Sequence, residues 1–232
     1  LFVASVIWLF YVALEPYVRR LRPQTLISWT RILSGDLRHP IVGRDLLVGA
    51  VWGASCAILI PAAHRLVAGL GFPPAEPLPS YLDVLLAPRY LVGYLIGTQV
   101  DGIVLGLGAL LLFVVLRLVL RHDLAAAIVL VLVLTAFRAV NGWEANPWLR
   151  VCLSLLLMTT YVVILLRLGL LAVISATYVS DLLTALPLTT RLGTWLSGPT
   201  VTAGVIVIAL AVYAFRTATR VGRPRVKASA VA

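Results

Sequence analysis

The chain has 232 residues, of which 61% are hydrophobic and 12% charged, and its mean hydropathy is +1.03. A soluble domain is usually about half apolar and about a quarter charged, so this composition excludes an ordinary soluble enzyme or soluble binding domain. The formal net charge is +10, and Lys227 is the only lysine. Where basic residues lie between hydrophobic segments, they indicate the orientation of membrane spans rather than a nucleic-acid-binding surface. We therefore predict an all-α polytopic helical membrane protein in a lipid bilayer.

The first segment, 1–16, is apolar and aromatic and ends at Glu15-Pro16. It is short for a membrane span, which needs about 20 residues. Residue 1 is Leu, the only methionine is Met158, and the apolar run lacks the charged leader of a signal peptide. We expect 1–16 to be the C-terminal part of a truncated transmembrane helix within a longer protein.

A basic segment, 17–45, follows and carries six arginines. Four apolar residues within it have 3-4-4 spacing and would share one helix face: Leu26, Trp29, Leu33 and Leu37. This pattern predicts an amphipathic helix over 25–38 that lies flat on the cytoplasmic membrane surface. Anionic lipid headgroups would bind its basic side. An irregular basic loop is the alternative interpretation.

The region 46–216 contains the remaining hydrophobic segments, and a basic tail, 217–232, follows it. We predict spans at 46–70, 91–116, 124–140, 149–166 and 199–215, with a proline-rich loop at 71–90. The apolar segment 168–186 contains Asp181 and either crosses the membrane or is re-entrant. The sequence therefore predicts about six to seven transmembrane segments and a juxtamembrane amphipathic helix.

The basic residues divide unevenly between the two sets of connecting segments. One set contains Arg19, Arg20, Arg22, Arg31, Arg38, Arg44, Arg117, Arg121, Arg167, Arg216, Arg220, Arg223, Arg225 and Lys227. The other contains Arg65, Arg89, Arg138, Arg150 and Arg191. Cytoplasmic loops are enriched in Arg and Lys, so the first set predicts the cytoplasmic side of the plasma membrane and a cytoplasmic C-terminus. Arg167 and the tail can both be inside only if 168–186 crosses the membrane or 199–215 does not. Because 199–215 is an uninterrupted apolar run, we predict that 168–186 crosses, which gives seven segments with the first truncated.

No catalytic, cofactor-binding or metal-binding residue is predicted in this chain. One short motif resembles the His-Arg-Asp-Leu catalytic loop of protein kinases, namely Arg121-His122-Asp123-Leu124. Its first two residues stand in the opposite order to those of the kinase loop. Ile128 also stands where that loop needs a metal-binding Asn, so we predict a charged turn between spans. Cys56 and Cys152 lie in apolar runs, which is typical of small core residues.

Glycines at four-residue spacing indicate close contacts between membrane helices. Gly49 and Gly53 form one such pair. A second group lies in the span at 91–116: Gly93, Gly97, Gly102, Gly106 and Gly108.

Two charged residues within predicted spans, Asp101 and Arg138, are candidate functional residues because charges inside a membrane are costly. Consecutive antiparallel spans would bring them to a similar depth on the outer side. We predict a structural ion pair in the bundle interior. A proton or solute pathway is the alternative, although further acidic groups at mid-membrane depth are missing from the sequence.

Several short motifs together resemble a known protein family. They are Glu15-Pro16-Tyr17-Val18-Arg19-Arg20, Leu26-Ile27-Ser28-Trp29-Thr30-Arg31, Pro40-Ile41-Val42-Gly43-Arg44-Asp45, Pro187-Leu188-Thr189-Thr190 with Trp195 and Gly198, Tyr213-Ala214-Phe215-Arg216-Thr217, and Gly222-Arg223-Pro224. In these motifs the chain resembles the C-terminal membrane region of certain large bacterial serine/threonine protein kinases. The juxtamembrane motifs are the most specific part of the resemblance.

The resemblance implies a cytoplasmic kinase domain upstream of Leu1, joined through one further span. ATP, Mg²⁺ and protein substrates would belong to that domain, and no family catalytic residue matches a position in this chain. The chain would then be a membrane-anchoring, and by extension sensory, region of a receptor-like kinase. The alternatives are a permease-like transporter subunit and a structural membrane protein. A homodimer is left open, and no nucleic-acid partner is expected.

Overall fold

The computed structural model describes residues 5, 8, 9, 12, 24–71, 79–141, 146–186, 188 and 197–219. Between residues 24 and 219 the described residues form seven α-helices and one 3-10 helix, and the described residues 5, 8, 9 and 12 are also helical; no described residue lies in a β-strand. The helices are α1 (Gln24–Leu33), α2 (Pro40–Gly69), α3 (Pro88–Leu120), α4 (Asp123–Asn141), α5 (Pro147–Arg167), α6 (Leu170–Thr184) and α7 (Ser197–Ala218), and the 3-10 helix is Pro79–Leu85. The predicted all-α class is confirmed. The predicted span 1–16 and the tail 217–232 lie largely outside the described residues.

Five of the described helices, α2, α3, α4, α5 and α7, are long and apolar enough to cross a membrane. The helix α6 is apolar but shorter, with 15 residues. At a rise of about 1.5 Å per residue it is about 22 Å long, less than the ~30 Å hydrocarbon core of a bilayer. The chain is thus a multi-pass membrane protein, and α6 is its shortest apolar segment among these helices.

The observed α2 begins six residues before the predicted span, at Pro40. Proline fits the first helical position because its missing N–H would have no helical partner there. The ring nitrogen Nδ1 of His39 accepts a hydrogen bond from the backbone N–H of Ile41 at 3.2 Å and caps the helix. Arg44 and Asp45 therefore belong to α2, which extends from the basic segment 17–45 into the predicted span. The predicted domain boundary at 45/46 stays a prediction.

The predicted loop at 71–90 also contains regular structure. Its second half forms the 3-10 helix Pro79–Leu85, and α3 already begins at Pro88. Val84 in the 3-10 helix is buried against Tyr178 and Leu182 of α6. This contact covers one end of the bundle, which explains why a proline-rich segment is ordered there.

The centre of the bundle is α6. Every residue from Leu170 to Ala176 is buried, as expected of a helix that is apolar on all sides. It packs most extensively on α2 and α3, and also on α1, α5 and α7. Gly169, with φ 105°, lets the chain pass from α5 into α6 through a two-residue connection.

Two predicted glycines, Gly49 and Gly53, allow α2 to lie directly on α6. A Cβ atom at Gly53 would be 2.6 Å from the carbonyl oxygen of Ala176, and one at Gly49 would collide with the carbonyl oxygen of Ala172. The packing prediction is confirmed for this pair. Because Gly49 lies beside Ala172 and Gly53 beside Ala176, α2 and α6 run parallel.

The glycines of α3 divide into two groups. A Cβ at Gly106 would be 2.8 Å from Leu170 Cδ1, and one at Gly102 would be 3.6 Å from the carbonyl oxygen of Ile174, so both lie on α6. Gly93, Gly97 and Gly108 have no such neighbour within 4 Å, and a packing role for them is not supported within the described residues. The contacts of Gly102 and Gly106 also show that α3 and α6 are antiparallel.

Seven of the eleven described arginines gather at one end of the bundle, which we call the basic end: Arg31, Arg38, Arg44, Arg117, Arg121, Arg167 and Arg216. Gly43 near the start of α2 lies against Ala214 and Ala218 near the end of α7, so these two helices are antiparallel. Tyr213 on α7 donates a hydrogen bond to the carbonyl oxygen of Leu37 at 2.7 Å. Helix termini that are far apart in sequence therefore meet at the basic end.

The charged turn predicted at 121–124 connects α3 and α4 at the basic end. Arg121 has a positive φ of 58°, and Arg117 Nε lies 2.6 Å from Asp123 Oδ1. This ion pair closes the turn, as expected of a structural connection.

The amphipathic helix is shorter than predicted. α1 ends at Leu33, and a turn follows in which Gly35 has φ 80°. Leu37 therefore lies beyond the helix and does not share a helical face with Trp29, which corrects the predicted range 25–38. Leu33 and Leu37 are 60% and 46% exposed, whereas Trp29 packs on the buried cluster around Leu170.

Candidate binding cavity

A cavity of about 310 Å³ lies between α2, α3, α4, α5 and α6. Apolar and aromatic residues provide most of its lining: Trp52, Ile60, Leu105, Ala109, Leu134, Phe137, Leu157 and Met158. The polar or ionisable lining residues are Cys56, Arg138, Tyr161, Thr177, Ser180 and Asp181. A largely apolar concave site with a few convergent polar groups is typical of a small-molecule site.

Aromatic residues of α2 and α5 form one wall of the cavity. The rings of Trp52 and Tyr161 have centroids 6.3 Å apart and are tilted by 60°. Trp52 Nε1 donates a hydrogen bond to Thr160 Oγ1 at 3.0 Å, which fixes the indole against α5. The wall is therefore held in place by a polar contact as well as by packing.

The charged residues of the cavity, Arg138 and Asp181, lie away from the basic end. Arg138 lies in the last turn of α4, and Asp181 lies three residues before the end of α6. The phenol of Tyr94 on α3 donates a hydrogen bond to the backbone carbonyl of Asp181 at 3.0 Å. This bond holds the end of α6 against α3, so the position of Asp181 is set by the bundle.

Arg138 and Asp181 lie within electrostatic reach of each other. Asp181 is also within reach of Asp101, and Arg138 is within reach of Cys56. The helices that carry the pair are separated by the cavity, because α4 packs mainly on α3 and α5, and α6 mainly on α2 and α3. Arg138 and Asp181 thus contribute opposite charges to the cavity lining from two helices, α4 and α6, that pack little on each other.

Asp101 lies on α3 four residues before Leu105 and eight before Ala109, both of which line the cavity. Residues at this spacing share one helix face, so Asp101 lies at the edge of the cavity. Its side chain is exposed, whereas Arg138 is partly buried. The predicted Asp101–Arg138 ion pair stays a prediction, and the structure adds Asp181 as a carboxylate near both residues.

Asp181 was not among the candidate functional residues that the sequence indicated, which were Asp101 and Arg138. The signal was available, since an acidic residue within an apolar segment is a functional candidate by default. Trp52, Tyr161 and Thr177 carried no comparable signal. Their convergence depends on how α2, α5 and α6 are rotated, which spacing within one helix cannot reveal.

A smaller cavity, of about 180 Å³, lies on the other side of α6. Trp29 of α1, Gln99 of α3 and Ser175 and Tyr178 of α6 contribute its polar lining. Ser175 Oγ donates a hydrogen bond to the carbonyl oxygen of Leu46 at 3.0 Å. This cavity links the juxtamembrane helix α1 to the centre of the bundle.

A buried polar contact attaches α1 to α2. The hydroxyl of Ser28 donates a hydrogen bond to Asp45 Oδ2, and Arg44 donates to Asp45 Oδ1 from Nε at 3.0 Å and from Nη2 at 2.9 Å. The Asp45 side chain is 0% exposed, whereas that of Arg44 is 57% exposed. Arg44 thus neutralises a buried carboxylate while its own side chain reaches outward.

Metal-ligand geometry does not occur in the described ranges, where no three His, Cys, Asp or Glu side chains come together. The chain matches no protein-family model, no curated protein and no solved structure.

Proposed function

We propose that the chain is the membrane-anchoring and sensory region of a bacterial receptor-like serine/threonine protein kinase, with the kinase domain encoded upstream of Leu1. In this proposal the chain lies in the plasma membrane with the basic end and the C-terminus in the cytoplasm. The support from sequence is the set of motifs described above, which includes the α1 residues from Leu26 to Arg31.

The structural observation that carries the proposal is the buried attachment of α1. Ser28 and Trp29 connect this helix to Asp45 of α2 and to the cluster around Leu170 at the start of α6. A change in the bundle interior would therefore displace a helix at the basic end, where a cytoplasmic domain would lie. Anionic lipid headgroups would bind the basic side chains at the same end.

The first experiment is to read the open reading frame upstream of Leu1. The proposal expects a protein kinase domain with an intact catalytic loop, and ATP and Mg²⁺ would bind there. The complete protein in vesicles should then autophosphorylate with ATP and Mg²⁺, and Asp45→Asn should change that rate by weakening the attachment of α1. An upstream frame without a kinase domain would overturn the proposal.

A permease-like transporter subunit is the second candidate, and the cavity with Arg138 and Asp181 favours it. A charged cavity lined by four membrane-spanning helices and the shorter α6 is the type of site in which solutes bind during transport. A neighbouring ATPase gene, and uptake of a solute by vesicles that contain the chain, would support this candidate over the kinase.

A further inference from the structure

The 310 Å³ cavity has a size and a charge pattern that restrict its ligand. Its volume lies at the lower end of the ~300–1,000 Å³ range of small-molecule sites. A ligand of about amino-acid size therefore fits, whereas a lipid with two acyl chains does not. All residues that form the cavity belong to the described helices, so the inference does not depend on an upstream kinase domain.

The charges of the cavity favour a ligand that carries both signs. A ligand whose only charge is a carboxylate would be attracted by Arg138 and repelled by Asp181. A ligand whose only charge is an ammonium group would be attracted by Asp181 and repelled by Arg138. Because the two side chains line the same cavity from different helices, α4 and α6, a zwitterion can place each of its charges beside the opposite one.

The remaining lining favours an apolar ligand body. Trp52 and Tyr161 present an aromatic wall, and the hydroxyl-bearing Thr177 and Ser180 lie on the same helix as Asp181. Leu134 and Met158 enclose the space from α4 and α5. Polar groups therefore converge near Arg138 and Asp181, and the rest of the cavity is suited to an aliphatic or aromatic side chain.

We propose that the cavity binds an apolar zwitterionic amphiphile of amino-acid size. Its carboxylate is held by Arg138, its ammonium group by Asp181, and its side chain lies between Trp52 and Met158. Arg138 and Asp181 are the two residues that determine which charges the ligand carries.

Binding of radiolabelled L-phenylalanine to the full chain in lipid nanodiscs tests this site, with 2-phenylethylamine and 3-phenylpropionate as competitors. We expect saturable binding of L-phenylalanine and at least tenfold weaker competition by the two compounds that carry one charge. Arg138→Gln and Asp181→Asn should each weaken L-phenylalanine binding by at least about tenfold, because each leaves one ligand charge without its partner.

The two variants should also change the charge preference in opposite directions. In Arg138→Gln, 2-phenylethylamine should compete about as well as L-phenylalanine, and in Asp181→Asn, 3-phenylpropionate should do so. Matched controls are Arg167→Gln and Asp123→Asn, which remove the same charges at the basic end and should leave binding unchanged. The thermal midpoint of each variant reports whether the bundle is folded.

If either charge variant fails to fold, Leu105→Trp provides an independent test. Leu105 lines the cavity but is 50% exposed, so a larger side chain can be accommodated there while it reduces the space for ligand. It should lower L-phenylalanine binding without changing the charge preference. The site is refuted if the wild-type chain shows no saturable binding, or if folded Arg138→Gln and Asp181→Asn bind as the wild type does. Tighter binding of 2-phenylethylamine than of L-phenylalanine would also refute it.

Discussion

The hydroxyl of Ser28 donates a hydrogen bond to the carboxylate of Asp45, which lies 17 residues later in the chain and is completely buried. The bond joins α1 to α2 at the basic end. A carboxylate in this position needs both the Ser28 donor and the Arg44 cation, because an unpaired buried charge is strongly unfavourable. The contact therefore fixes the position of a helix that hydrophobic pattern alone would leave on the membrane surface.

Ser28→Ala should lower the free energy of unfolding by about 1–3 kcal/mol, since Asp45 loses a buried donor. Ser34→Ala is the matched control, because the exposed Ser34 hydroxyl donates only to the carbonyl oxygen of Arg31 in the turn after α1. Reversible unfolding of both variants in mixed micelles measures the difference. Equal effects at the two serines would show that the Ser28–Asp45 bond does not stabilise the bundle.

Gly53→Ala should destabilise the bundle by about 1–3 kcal/mol, because the added methyl group would force α2 away from the backbone of α6. Gly97→Ala should be neutral or stabilising by about 0.5–1 kcal/mol, since Gly97 is helical and its Cβ would meet open space. The same unfolding assay compares the two. A destabilised Gly97→Ala variant would mean that α3 has a close neighbour at that position, such as a second copy of the chain.

Asp101→Asn should destabilise the bundle if Asp101 pairs with Arg138, because Arg138 would lose part of its compensation. The double variant Asp101→Asn/Arg138→Gln should recover part of that loss, with a coupling energy of about 0.5–3 kcal/mol in a double-mutant cycle. A second cycle with Asp181→Asn in place of Asp101→Asn shows which carboxylate interacts more strongly with Arg138. Additive losses in the first cycle would contradict the predicted Asp101–Arg138 pair.

The predicted orientation can be measured by labelling single cysteines in a chain in which Cys56 and Cys152 are replaced. Cysteines at Arg38 and Arg216 should react with a membrane-impermeant maleimide only after the cytoplasmic side is opened. Cysteines at Arg65 and Arg89 should react in intact cells, because the structure puts them at the end opposite Arg38 and Arg216. Labelling of Arg38→Cys in intact cells would show that the orientation is the reverse of the predicted one.

The number and approximate limits of the long helices followed from sequence because they depend on local properties. An apolar run of about 20 residues can satisfy its backbone hydrogen bonds inside a bilayer only as a helix. The errors arose at helix ends, where local capping decided the outcome. His39 and Pro40 start α2 earlier than hydropathy indicates, and Gly35 separates Leu37 from α1.

The cavity and the attachment of α1 were decided only by the tertiary structure. Trp52 donates to Thr160, 108 residues later, and Ser175 donates to Leu46 across 129 residues. Such contacts depend on which helices are neighbours and how each is rotated about its axis. Nearly all faces of these helices are apolar, so hydropathy does not distinguish a face that contacts lipid from one that contacts protein. The close approach of backbones at Gly49 and Gly53 selects the neighbour, and Arg138, Asp181 and Tyr161 line one cavity as a result.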